Sequence, residues 1–187
     1  CLQMAAMMRR QWNPIGAGHG DNQAALRQIT MERIEATLKE ENFQEAAELI
    51  RASYRRNIGV RTKADGSPVT EADVAAEQAI RAIVQGRFPE DGFYGEESAA
   101  DRMDAERLWL VDPIDGTKSF VRQYPMFSTQ IALMHRGVLE LGVSCAPVYG
   151  QTAWAGRGSG AFMDDVPLAV SGIATLEQAT ISTGNLR

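Results

Sequence analysis

The apolar period of the chain changes once, and that change limits the fold more than any single motif does. Before Arg107 the apolar residues recur every three or four positions. After it they alternate, in "RLWLV", "FSTQIALM", "VLELGVSC", "QTAWAG" and "GAFM". A period near 3.6 buries one stripe of a helix, whereas a period of two buries one face of a strand. The breaks "HRG", "APVYG" and "GRGSG" are short enough to join antiparallel neighbours. Helices followed by a meander of strands predict an α+β layer, with a helix pair packed on one face of a largely antiparallel sheet.

In "EENFQEAAELIRASYRR", Phe43, Ala46, Ala47, Ile50 and Tyr54 share one helical face. Asn42 reads as a break between this helix and "TMERIEATLKE". The second helix follows Thr70, a good N-cap. It carries Val74, Ala76, Ala79, Ile80, Ile83 and Val84 on one face and closes at Gly86 and Pro89. Between the helices, "VRTKADGSPVT" combines an extended start, an Asp65–Gly66 turn and Pro68. "PEDGFYGEES" is expected to be a turn-rich exit. Residues 1–30 lack a sustained pattern and are expected to form a poorly ordered lead-in, leaving 31–187 as the folded unit.

Composition excludes several functions. A net charge of -5 argues against a nucleic-acid polymer as partner, since binding one needs a basic face. There is no apolar stretch long enough to span a membrane. Two cysteines, Cys1 and Cys145, build neither a disulfide framework nor a thiolate cluster, which fits a reducing, cytoplasmic setting. Two histidines, His19 and His135, are too few for a His-rich zinc site, and His135 in "MHRGV" reads as a hairpin residue.

What remains is oxygen chemistry. Glu96 and Glu97 in "YGEES", and Asp112 and Asp115 in "VDPIDGT", fall where a strand or loop stops. Carboxylates at turns suit a hard cation such as Mg²⁺, which takes near-octahedral oxygens at roughly 2.0–2.1 Å. In D-x-x-D with proline second, the chain can aim both acids and the Ile114 carbonyl at one point. Plainer roles stand beside these. Asp112 can cap a strand end, Asp115 can accept an Asx turn before Gly116, Asp73 can close a capping box with Thr70, and Glu96 and Glu97 can be solvated loop residues. "GRGSGA" matches a dinucleotide loop in form but lacks a following helix and reads as a hairpin. The D-x-D-x-T signature of aspartyl-phosphate enzymes is absent.

Taken in order, "KADGSPVTEAD", "FPEDGFYGEES", "LWLVDPIDGTKSF" and "GAFM" closely resemble the inositol monophosphatase family of Mg²⁺-dependent phosphomonoesterases, from about Phe43 to the end. The resemblance implies a sugar-phosphatase-like layered fold and a role for each matching residue. Glu96 would bind a first metal, Asp112 would bridge two, the Ile114 carbonyl would complete the first site, and Asp115 would hold the second. Thr117, oriented by Asp73, would work with Glu96 to position and activate water. The Gly116 and Thr117 amides would receive the phosphate at a helix start. Glu97 and Lys63 would lie by a loosely held third metal.

The substrate implied is a small phosphorylated metabolite. "DPIDGTKSF", with Lys118 and Ser119, is more similar to the histidinol-phosphatase-like branch than to the inositol enzymes, and other sugar or nucleotide phosphates are handled within the family. Relatives often form homodimers. They are longer and carry a later W-D-x-A motif, whereas the three tryptophans here precede Asn13, Leu110 and Ala155. The resemblance thus implies the N-terminal metal-binding half of the fold, with the C-terminal α/β half missing. Two expectations follow: part of a working phosphatase, or a catalytically inactive metal-binding module with an exposed apolar edge that self-associates.

Overall fold

The computed structural model describes residues 41–56, 59–64, 66 and 68–181. The expected lead-in, the helical continuation in "TMERIEATLKE" and Asp65 of the expected turn lie outside the described residues. Helix α1 (Glu41–Ser53) is followed by a short antiparallel hairpin of β1 (Val60–Thr62) and β2 (Pro68–Thr70), and then by helix α2 (Glu71–Arg87). Asn42 is helical, as the second residue of α1, and the segment it was expected to separate from this helix lies outside the described residues. The propensity penalty of one asparagine is a few tenths of a kcal/mol to about 0.7 kcal/mol, which packing on one face readily offsets.

The remaining strands form one sheet: β3 (Gly92–Gly95), β4 (Arg107–Asp115), β5 (Ser128–His135), β6 (Val138–Ala146), β7 (Gln151–Gly156), β8 (Gly160–Met163) and β9 (Val166–Leu168). They lie in that spatial order. β3 and β4 run parallel and every later neighbour is antiparallel. A five-residue helix, α3 (Thr117–Val121), interrupts the run after β4. "GRGSG" is the hairpin between β7 and β8, with Gly156 opposite Gly160.

The alternation in β4 divides two packing layers. Trp109 and Val111 join Ile131, Leu133, Leu141 and Val143 from the sheet with Ala46, Ile80 and Val84 from the helices. Leu108 and Leu110 face the other way with Ala132, alongside Tyr94, Met103 and Met134. A third cluster joins Ile50, Ala72 and Ala76 to Ile114, Phe120 and Phe127, so the helix pair also seats α3. Phe120 and Phe127 meet edge to face at 5.0 Å between ring centres, and Tyr54 leans on both.

Two expectations are corrected. "GFYG" is a strand, not a turn-rich exit. It is short and glycine-bounded, and its partners in β4 lie 16 residues further along the chain, as Gly92 with Leu108, so no local alternation marks it. β4 does not end at Val111 but continues through "DPID", with a bulge between Asp112 and Asp115 that accommodates Pro113. None of the helices among the described residues is long and apolar enough to cross a membrane.

Candidate active site

The parallel pairing of β3 with β4 is what joins the two acidic motifs. Gly95 stands opposite Val111, and the Glu96 amide donates to the Val111 carbonyl at 3.1 Å. Glu96, just past the end of β3, therefore comes beside Asp112 of β4 at the same end of the sheet. An antiparallel β3 would have put Glu96 beside Arg107 instead.

Beyond Asp112 the bulge resets the register, so that Asp115 pairs with Ser128 and the buried Thr129 hydroxyl donates to the Pro113 carbonyl at 2.9 Å. Gly116 then turns the chain with φ +99°, the left-handed region that glycine enters most easily. A Cβ there would also stand 2.9 Å from the Met126 carbonyl oxygen. Thr117 begins α3, and its hydroxyl lies 3.0 Å from the Ile114 carbonyl oxygen and 3.5 Å from Asp73 Oδ1. Asp73 is buried at the start of α2, where its other oxygen accepts from the Thr70 amide at 2.7 Å and from the Thr70 hydroxyl. The capping box and the contact to Thr117 are thus made together, by different oxygens of one carboxylate.

Electrostatics at this end of the sheet favour an added cation. Asp112 is 5% exposed, and burial, with Glu96 and then Asp115 beside it, pushes its pKa up to about 8. A divalent cation among these oxygens would remove the repulsion, and an all-oxygen donor set suits Mg²⁺. Lys63 sits at 2.8 Å from both Glu96 and Glu97. Burial pulls its pKa down, but the bonds to the two glutamates outweigh that and hold it above the ordinary lysine value. A protonated amine has no lone pair to offer a metal, so Lys63 enters as a counter-ion to the two acids rather than as a ligand. Burial raises Glu97 and Asp73 above the usual carboxylate range, against the opposing hydrogen bonds from Lys63 and Thr70 respectively.

The structure thus brings Glu96, Asp112, Ile114, Asp115, Gly116, Thr117 and Asp73 to one end of β4, with Lys63 and Glu97 beside Glu96. Among the described residues no three His, Cys, Asp or Glu side chains converge on one ion position. His135 lies at the opposite end, paired with Arg107 across β4 and β5 and bonded to Glu106 at 2.7 Å. Sequence reasoning missed Glu77. It is 1% exposed on α2 and accepts from the Glu97 amide at 2.7 Å and from the Ser98 hydroxyl. The available signal was a glutamate between Ala76 and Ile80 on the face otherwise reserved for apolar residues.

Comparison with known proteins points the same way. A histidinol-phosphatase of Chlorobaculum parvum is 44% identical over 127 residues, covering 68% of this chain and 49% of the relative. An IMPase of Thermotoga maritima superposes with a TM-score of 0.72 at 33% identity, over 78% of this chain and 56% of that one. An IMPase/NADP phosphatase, whose structure is described as complexed with Mg²⁺ and phosphate, gives a TM-score of 0.62 at 26% identity, over 76% of this chain and 53% of that one. The chain spans about half the length of the curated relatives it matches. The model of the inositol monophosphatase family matches residues 31–185, and with the parallel β3–β4 pair presenting Glu96 beside Asp112, the chain belongs to that family.

Proposed function

We propose that this chain is the acid-bearing part of a Mg²⁺-dependent phosphatase that hydrolyses a small phosphate monoester, histidinol phosphate first among candidates. The observation that carries the reading is Asp112, buried between Glu96 and Asp115 with Thr117 following in the same turn. Histidinol phosphate is favoured by "DGTKSF" and by the similarity to the Chlorobaculum parvum enzyme. Inositol monophosphate and other sugar or nucleotide phosphates are the alternatives. The setting is taken as the cytoplasm, in keeping with the two cysteines.

Glu96, Asp112, the Ile114 carbonyl and Asp115 would hold the metal. When bound, it would lower the pKa of water, neutralise phosphate oxygens and stabilise the leaving alkoxide. The chain's own residues align the reactants. The Thr117 hydroxyl has one proton and two lone pairs. With its proton directed at Ile114 or Asp73, a lone pair is left to accept from the attacking water. Glu96 would accept the water's second hydrogen. The amides of Gly116 and Thr117, at the helix start, receive the phosphate oxygens. Water oxygen would bond to phosphorus as the ester P–O bond breaks; one hydrogen of the water stays on the phosphate, and the proton taken up by Glu96 is passed through solvent to the departing alkoxide, which leaves as the alcohol.

The test is phosphate release from histidinol phosphate and inositol 1-phosphate, measured side by side with Mg²⁺ and after chelation, with Asp115→Asn as control. Chelator-sensitive release that Asp115→Asn abolishes supports the reading. Turnover indifferent to both would end it. A second reading, a metal-binding module without turnover, is favoured by the lack of convergence of three acids among the described residues. It predicts Mg²⁺ binding and no phosphate release in a folded sample.

A further inference from the structure

Four polar residues on α2, Asp73, Glu77, Arg81 and Gln85, follow one another at intervals of four, which places them along a single stripe of the helix. The first three reach segments that carry or directly follow site residues, and Gln85 reaches Asp101 farther along. Asp73 Oδ1 faces Thr117 at 3.5 Å. Glu77 accepts from the Glu97 amide and the Ser98 hydroxyl. Arg81 donates to Ser98 Oγ at 2.7 Å and to the Ala99 carbonyl at 2.6 Å, with its guanidinium 4.4 Å from the Phe93 ring centre. Gln85 donates to Asp101 at 3.1 Å.

Glu77 occupies the middle of this stripe and is the residue least explained by packing. It is 1% exposed, between Ala76 and Ile80 on the buried side of α2, and a leucine of similar size would fill the space. Leucine would not receive the Glu97 amide. Gly95 is also shaped around this side chain, since a Cβ there would lie 2.3 Å from the Glu77 carboxylate. The Ser98 hydroxyl links the two helix residues, donating to Glu77 and accepting from Arg81, so the segment is fixed in direction as well as in place.

We propose that Glu77 is a positioning residue that aims Glu96 and Glu97 at the cation site by fixing the backbone of residues 97 and 98. The inference rests on the reading that Glu96 and its neighbours hold Mg²⁺. Groups one layer behind metal ligands set the ligands' orientation, and losing them typically weakens metal binding by roughly 10- to 100-fold.

The experiment compares Glu77→Leu, Glu77→Gln and the unsubstituted chain by calorimetric titration with Mg²⁺, with thermal unfolding recorded on the same samples. Leucine fills the space and leaves the Glu97 amide without its acceptor. It is expected to weaken Mg²⁺ binding by roughly 10- to 100-fold while cooperative unfolding persists. Glutamine keeps one acceptor oxygen for Glu97 and donates to Ser98, so it is expected to restore binding. If Glu77→Leu does not fold, Ser98→Ala, which breaks the link from the exposed side, is expected to weaken Mg²⁺ binding in the same direction. Unchanged affinity in folded Glu77→Leu, or in Ser98→Ala where it takes its place, overturns the proposal. An unsubstituted, folded chain that binds no Mg²⁺ overturns the metal reading itself, and the proposal with it.

Discussion

The ammonium of Lys63 lies 2.8 Å from Glu96, so a carboxylate assigned to a metal already holds a positive charge supplied by the chain. The same ammonium serves Glu97. On the proposed reading, Mg²⁺ would compete with Lys63 for one pair of acids. Lys63→Gln is expected to tighten Mg²⁺ binding by about fivefold, equivalent to the ~1 kcal/mol upper range of a partly exposed ion pair. Calorimetric titration at fixed ionic strength reads this directly, and weaker binding would show that Lys63 helps the cation instead.

Asp112 keeps its proton up to about pH 8 in the folded chain, against an ordinary value of 3.8, because burial and Glu96 oppose its charge. Between those limits the folded state binds more protons than the unfolded state, so stability falls as pH rises. Asp73 and Glu97, also raised, act with the same sign. In chelator, the unfolding temperature is expected to decline across this window, and Asp112→Asn is expected to flatten part of the decline. Mg²⁺ added at pH 8 should restore stability and release protons. A profile that rises throughout the window would contradict the burial argument.

Thr117 offers its hydroxyl between the Ile114 carbonyl and Asp73, so the methyl group is the expendable part of the side chain. Thr117→Ser is expected to keep phosphate release within about an order of magnitude, and Thr117→Val to lose roughly 10²- to 10⁴-fold, the range for a group that manages a proton. Steady-state assays at saturating Mg²⁺ separate the two. Equal losses in both variants would assign Thr117 to packing.

Gly92 has no space for a side chain, because a Cβ would stand 2.2 Å from the Arg102 carbonyl oxygen. Gly92→Ala is expected to cost about 1–3 kcal/mol in urea unfolding, as overpacking usually does. Gly142 on β6 has nothing within 4 Å of its would-be Cβ, so Gly142→Ala serves as the near-neutral control.

The longer strands were legible because each carries its signal over several residues, as the unbroken apolar run Leu108, Trp109, Leu110 and Val111 does for β4, which is buried on both faces. β3 carries too few residues for that. Its glycines are dictated by Arg102 and Glu77, which lie elsewhere in the chain. Asp112 and Asp115 read as lying where a strand stops, whereas the bulge and the Thr129 hydroxyl let the strand continue past Pro113. The acids at the site were legible from their order along the chain. Their adjacency was not, since it depends on the parallel register of Gly95 with Val111. Glu77 was hidden because a helical face counted as apolar tolerates one buried carboxylate when two donors meet it.

Asp73 divides its two oxygens between opening α2 and facing Thr117. A lineage that abandoned phosphate chemistry would still need the first of these, so drift would spare the aspartate long after Thr117 had been free to vary. On the proposed mechanism, position 117 would then separate relatives that turn over substrate from those that have lost it, whereas an aspartate at 73 would be kept by both.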